Sequence, residues 1–222
     1  ILVIGGAGYI GSTLSTLLVN QKYDVTVVDI LKYSKNSLSH LLVKKNFKLL
    51  IQNAKKIEKN FYKKFDFIIP LVGLVGAPLC EKNKKEAKEL NLQFIKKLCK
   101  SLTAKNKLIY LNTNSGYGIG KKNKFCDENS PLNPISLYGR TKKEAENQII
   151  NSGNKFIILR LATVFGYSYR MRSDLLVNNF VSEALRKNKL VLYESNFRRN
   201  FIHIHDVCSA IIFMIIKFNK NK

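Results

Sequence analysis

The chain has 222 residues, enough for one large domain or for one domain and part of a second, and 45% of them are hydrophobic, which supplies a core. Its net charge is +23, from 38 Lys and Arg against 15 Asp and Glu. The basic residues are mostly lysines scattered among asparagines and isoleucines, without the arginine-bearing, aromatic-interleaved stripe of a nucleic-acid surface, so no nucleic-acid role is expected. The positive field suits an anionic, diphosphate-bearing substrate instead.

The longest weakly polar run, Phe67 to Cys80, is broken by Pro70, Gly73, Gly76 and Pro78 and is shorter than the ~20 residues of a membrane helix, so no membrane span is expected. Ile1 already opens an apolar strand with no charged leader before it. Cys80, Cys99, Cys126 and Cys208 are far apart and form no C-x-x-C pair, which fits a reduced, cytoplasmic setting. Beginning inside a strand and stopping after an apolar helix that starts near Asp206, the chain reads as a piece of a longer protein.

In chain order, short β-branched runs alternate with helical stretches. Ile1 to Ile4, Val25 to Asp29, Phe47 to Ile51, Asp66 to Leu71, Lys107 to Asn112 and Phe156 to Leu161 read as buried strands. Ile10, Leu14, Leu17 and Leu18 form one apolar stripe at helical spacing, and Ala87, Leu90, Phe94, Ile95 and Leu98 form another. This alternation predicts an α/β fold, a doubly wound, Rossmann-like parallel sheet covered on both faces. Lysine-rich loops such as 121–124 fall between elements.

The first strand runs into Gly5-Gly6-Ala7-Gly8-Tyr9-Ile10-Gly11, with glycines at 5, 8 and 11. In a strand-to-helix turn, such glycines permit the tight bend, close approach to a pyrophosphate and close packing of helix on sheet. The helix N-terminus then offers free N–H groups to phosphate. Asp29 ends the second strand, 18 residues after Gly11, where a carboxylate would bind the adenosine ribose and repel a 2′-phosphate, favouring NAD. Lys32 nearby weakens that exclusion of NADP.

Tyr138-Gly139-Arg140-Thr141-Lys142 sets a phenol and an ammonium four residues apart, on one helix face that Ala145 and Ile149 continue. A buried lysine beside a tyrosine favours the phenolate and a nearby nicotinamide cation adds to this, so Tyr138 is expected to titrate below its usual ~10 and serve as a general acid/base. Thr113 stands 25 residues earlier at the carboxyl end of a strand, placed to bond the same substrate oxygen. His203 and His205 read as two imidazoles on one side of a strand, without a third ligand, so no metal is expected.

Glycine loop, strand-end Asp, Thr loop and Y-x-x-x-K occur here in one order, and on these motifs the chain resembles the extended short-chain dehydrogenase/reductase family. Within it the likeness is to the NAD-dependent epimerase/dehydratase branch that UDP-glucose 4-epimerase typifies. Asp127 to Pro134, Arg160 to Gly166 and Arg199 to Asp206 also look like that family's segments. The resemblance implies a catalytic Thr113, Tyr138 and Lys142, with Lys142 also holding the nicotinamide ribose of NAD. It implies a cofactor cradle of Gly5, Gly8, Tyr9, Ile10, Gly11 and Asp29. It further implies a nucleotide-sugar substrate contacted by Asn178 or Asn179 and by Arg199, and a homodimer at full length. Residues 1–165 are then the cofactor domain, and residues 166–222 the beginning of a smaller substrate-binding region.

Departures narrow the chemistry. Asn114-Ser115 stands where the family's dehydratases carry an Asp-Glu pair, which disfavours dehydration. Gln52-Asn53, Leu71-Val72-Gly73 and Thr163 also differ from the family pattern. The expected function is NAD-dependent epimerisation of a nucleotide sugar through a keto intermediate. A keto-sugar reductase, a dehydratase and a non-catalytic dinucleotide binder are the alternatives.

Overall fold

Six short apolar runs build one parallel sheet. The strands are β1 (Leu2–Ile4), β2 (Val25–Asp29), β3 (Phe47–Ile51), β4 (Phe67–Pro70), β5 (Lys107–Thr113) and β6 (Lys155–Leu161). Each agrees with the run predicted for it to within one residue at either end. The structure, a computed structural model, describes residues 1–120, 125–193, 195–196 and 198–220, and the lysine-rich loop at 121–124 lies outside them. The spatial order is β3-β2-β1-β4-β5-β6, with every pairing parallel. The order reverses between β1 and β4, and in such sheets the crevice beyond the carboxyl ends at the reversal takes the ligand.

The helices are α1 (Tyr9–Asn20), α2 (Lys59–Tyr62), α3 (Ala77–Lys82), α4 (Lys84–Lys88), α5 (Phe94–Ser101), α6 (Leu137–Ile150), α7 (Leu176–Lys187) and α8 (Ile204–Lys220). Side chains alternate across each strand, so the sheet feeds two cores. On one face Val3, Val27, Ile109 and Leu111 pack with Leu14 and Leu18 of α1 and with Ile204, Val207, Ile211 and Ile215 of α8. On the other, Leu2, Ile4, Ile68, Leu108 and Tyr110 pack with Ile95 and Leu98 of α5 and Ala145 and Ile149 of α6. The last helix therefore shares a core with the first strand.

Two elements depart from the expected pattern. A π turn, Glu89–Gln93, joins α4 to α5, and its wider winding turns Asn91 inward. Asn91 is 2% exposed and binds Leu74 like a strand partner: its Oδ1 accepts from the Leu74 amide (2.8 Å) and its Nδ2 donates to the Leu74 carbonyl (2.9 Å). Second, β7 (Thr163–Phe165) and β8 (Phe201–His203) pair in parallel as a small separate sheet. The strand predicted through His205 ends at His203, because α8 already starts at Ile204 rather than near Asp206. His203 and His205 stack with centroids 5.3 Å apart. Among the described residues, no group of three or more His, Cys, Asp or Glu is placed to hold a metal. No described helix is long and apolar enough to cross a membrane.

Candidate active site

The carboxyl ends of β1, β2, β4 and β5 carry the chemistry. At the end of β1, Gly5 has φ +83, and a Cβ there would stand 2.8 Å from the Val72 backbone nitrogen in the loop after β4. At Gly11, inside α1, a Cβ would lie 2.6 Å from the Gly6 Cα. Both positions therefore demand glycine, one by backbone angle and space, the other by helix-to-turn contact. Gly8 caps α1 with extended backbone and no side-chain acceptor, leaving first-turn N–H groups for an anion.

Asp29 closes this cradle from β2. One carboxylate oxygen accepts from the Ala7 amide in the glycine turn (3.0 Å), the other from the Leu31 amide (2.8 Å). Leu31 adopts φ +55, a left-handed conformation uncommon for a branched residue, and Asp29 holds it there. Each carboxylate oxygen keeps a second lone pair for a ribose hydroxyl. Lys32 pairs with Glu86 at the surface (3.4 Å). Ile10 packs half-buried against the core of α1. The Tyr9 hydroxyl is turned toward the far wall, donating to the Gly166 carbonyl (2.7 Å).

Thr113 ends β5 and Tyr138 opens α6, and the fold brings them near each other: the Thr113 side chain is close enough to pull the Tyr138 phenol down in pKa, while its hydroxyl donates to the Ser115 hydroxyl (3.1 Å). Thr113 also caps the 3-10 turn Asn114–Tyr117, accepting from the Ser115 amide (3.2 Å). The start of α6 is fixed by Ser136, whose hydroxyl accepts from the Gly139 amide (3.1 Å). One turn on, Lys142 donates to the Leu111 carbonyl (2.6 Å) and lies 3.9 Å from the centroid of the Tyr110 ring.

Burial governs the charges. It pushes the Tyr138 phenol up to about 12, against the opposing pull of the Thr113 side chain and the Arg172 charge. The expected fall of Tyr138 below its usual value is thus not met, because desolvation outweighs its neighbours and Lys142 directs its ammonium at Leu111 and Tyr110. Burial also lowers Lys142 to about 7, and the Glu146 carboxylate works against that shift.

On the substrate side, Asn178 is buried and engaged inside the wall. Its Oδ1 accepts from the Gly166 amide (2.9 Å), and its Nδ2 donates to the Tyr9 hydroxyl (3.1 Å) and the Arg172 carbonyl (3.0 Å). These bonds brace the wall around Gly166 and Tyr9. Asn179 is half-buried on α7, and Arg199 is exposed just before β8. The cation whose field reaches Tyr138 is Arg172, which sequence reasoning missed; Asp174 holds its guanidinium (2.8 Å at Nε).

The model of the NAD dependent epimerase/dehydratase family matches residues 1–222. The chain belongs to that family. Among its relatives, dTDP-D-glucose 4,6-dehydratase of Dictyostelium discoideum is 28% identical over 98% of this chain and 55% of its own length. UDP-glucuronic acid decarboxylase 1 of Xenopus tropicalis is 25% identical over 96% and 52%. The chain thus spans about half the length of these two curated relatives. The solved UDP-glucuronic acid 4-epimerase of Bacillus cereus, in complex with UDP-glucuronic acid and NAD, superimposes with TM-score 0.83 at 23% identity, covering 96% of this chain and 72% of that one.

NAD is the family's cofactor, and the residues present fit it: two glycines with no room for a Cβ, an uncapped helix N-terminus and a strand-end carboxylate with spare acceptor capacity. Other residues that shape this site were missed in the sequence. Asn91 occupies the polar gap between Ala87 and Ile95 of the predicted apolar stripe, and that gap was its signal. Glu146, beside Ala145 and four residues after Lys142, is a charge on a helix side that the stripe marks as buried.

Proposed function

We propose that this chain is the cofactor-binding and catalytic part of an NAD-dependent nucleotide-sugar epimerase. The observation that carries the reading is the approach of Thr113, at the carboxyl end of β5, to the Tyr138 phenol, followed by Asn114-Ser115, which brings no carboxylic acid to that turn. NAD, when bound, supplies a hydride acceptor that returns what it takes. Thr113 orients the reacting sugar hydroxyl, and Tyr138 takes its proton and later gives it back. Lys142 holds the nicotinamide ribose, and the Arg172 charge offsets part of the cost of forming the phenolate. The first-turn amides of α1 and the Asp29 carboxylate hold the dinucleotide. Arg172 and the overall positive field favour a diphosphate-linked substrate.

Incubation of the full-length protein with UDP-glucose, UDP-N-acetylglucosamine and UDP-glucuronic acid tests this. Inverted sugar is expected with no net accumulation of NADH. A product that has lost water or carbon dioxide, or stoichiometric consumption of reduced cofactor, would replace epimerisation with one of the sibling reactions.

A further inference from the structure

The proposed mechanism leaves one buried charge unused. Glu146 lies four residues after Lys142 in α6, and its side chain is 3% exposed. A carboxylate out of water is costly unless fully partnered. Here Arg160 of β6 meets it twice, from Nε (3.1 Å) and Nη2 (2.5 Å), and the Asn112 amide of β5 donates to its second oxygen. The network then runs toward the site in two directions. The Asn112 Oδ1 accepts from the backbone amide of Thr113 (2.9 Å). Arg160 lies over the Tyr117 ring (5.3 Å) and donates to the Tyr117 hydroxyl (3.0 Å) and the Glu128 carbonyl (3.1 Å), which fixes the turn that follows Thr113.

We propose that Glu146, clamped by Arg160 and Asn112, is a positioning residue for the active site, favouring the charged form of Lys142 from one helical turn away and setting the stance of Thr113 through Asn112. The inference rests on the reading that Lys142 and Thr113 serve Tyr138. Residues four apart share a helix face, so Glu146 and Lys142 look the same way. The titratable groups around Lys142 are Tyr138 and Glu146 on its own helix and Tyr110 on β5, with Cys99 of α5 beyond Tyr110 and Arg160 of β6 behind Glu146. Of these, Glu146 is the carboxylate. Without it, Lys142 would face a tyrosine ring and a carbonyl with the Arg160 charge uncompensated behind it, and the neutral amine would gain.

The test uses full-length protein and two variants, Glu146→Gln and the paired Glu146→Met with Arg160→Met, which removes both charges and leaves neither ion alone. Acetic anhydride labelling of Lys142, read by mass spectrometry across the neutral and alkaline range, reports its titration without any sugar substrate. Thermal melting and epimerase turnover complete the set. Both variants are expected to lower the Lys142 labelling midpoint by about one pH unit or more and to slow turnover at least tenfold, while the paired variant melts close to wild type. A wild-type midpoint in the paired variant, or recovery of wild-type turnover there, overturns the proposal and leaves the pair a packing device. If the function reading itself fails, turnover is missing in every protein while the labelling midpoint still reports the influence of Glu146 on Lys142.

Discussion

Thr113 draws the Tyr138 phenol down in pKa although the two side chains leave different elements, one the last residue of β5 and the other the first turn of α6. Because the pair converges on one point of the cleft, the two side chains are expected to fail differently. Tyr138→Phe removes the proton acceptor and should cut turnover by roughly 10²- to 10⁴-fold. Thr113→Val removes only the orienting hydroxyl and should cost less. Calorimetric titration with NAD should find both variants binding the cofactor nearly as wild type, and a Tyr138→Phe enzyme with undiminished turnover would remove the phenol from the reaction.

Asp29 joins Ala7 of the glycine turn to Leu31 of the next loop. Asp29→Ala would leave both amides without their acceptor and take away the carboxylate offered to the ribose, so NAD affinity should fall at least tenfold, about 1.4 kcal/mol or more. Loss of the negative charge should also narrow the preference for NAD over NADP. Titration of both cofactors against both proteins measures the ratio, and an unchanged ratio would deny Asp29 its part in selection.

How legible all this was depended on the range of each interaction. The strands were readable because each is a short apolar run, fully buried in β1, β4 and β5, and the helix carrying Tyr138 and Lys142 because Ala145 and Ile149 continue its stripe. The β7 and β8 pair was not, since three residues give no period and the two strands lie 35 or more positions apart. The bonds of Asn178 to Gly166, Tyr9 and Arg172 were not legible either, because only the folded chain brings those residues together. The aim of Lys142 was hidden for a related reason: four-residue spacing says that Lys142 shares a face with Tyr138, but not that its ammonium is directed at Leu111.

Gly11 meets the turn that precedes it. A methyl group there would stand 2.7 Å from the Gly5 carbonyl oxygen as well as 2.6 Å from the Gly6 Cα, and backbone cannot yield as a flexible side chain does. Gly11→Ala should therefore push α1 off the glycine turn, destabilising the fold by about 1–3 kcal/mol and weakening NAD binding further than the stability loss alone explains. Thermal melting with and without NAD separates the two effects; wild-type melting would show that the helix shifts freely.

Lys142 makes a pH prediction of definite sign. Burial holds it near 7 in the folded chain against an ordinary value of 10.5, so between those two limits the unfolded chain binds the extra proton. Stability rises with pH wherever the unfolded state holds more protons. The penalty for burying the ammonium is thus fully present below pH 7, shrinks as pH climbs, and is gone above 10.5. Lys142→Met removes this group alone, and the same background titrations remain in both proteins. Wild type should therefore gain stability relative to Lys142→Met as pH is raised through that window, read as the difference between their urea unfolding midpoints. Tyr138 works in the opposite sense at higher pH: raised from 10 to about 12, it keeps its proton longer when folded, so stability should fall as pH rises between those values, and Tyr138→Phe should flatten that fall. A flat wild-type to Lys142→Met difference from neutral pH upward would mean that the ammonium is solvated and not buried against Tyr110.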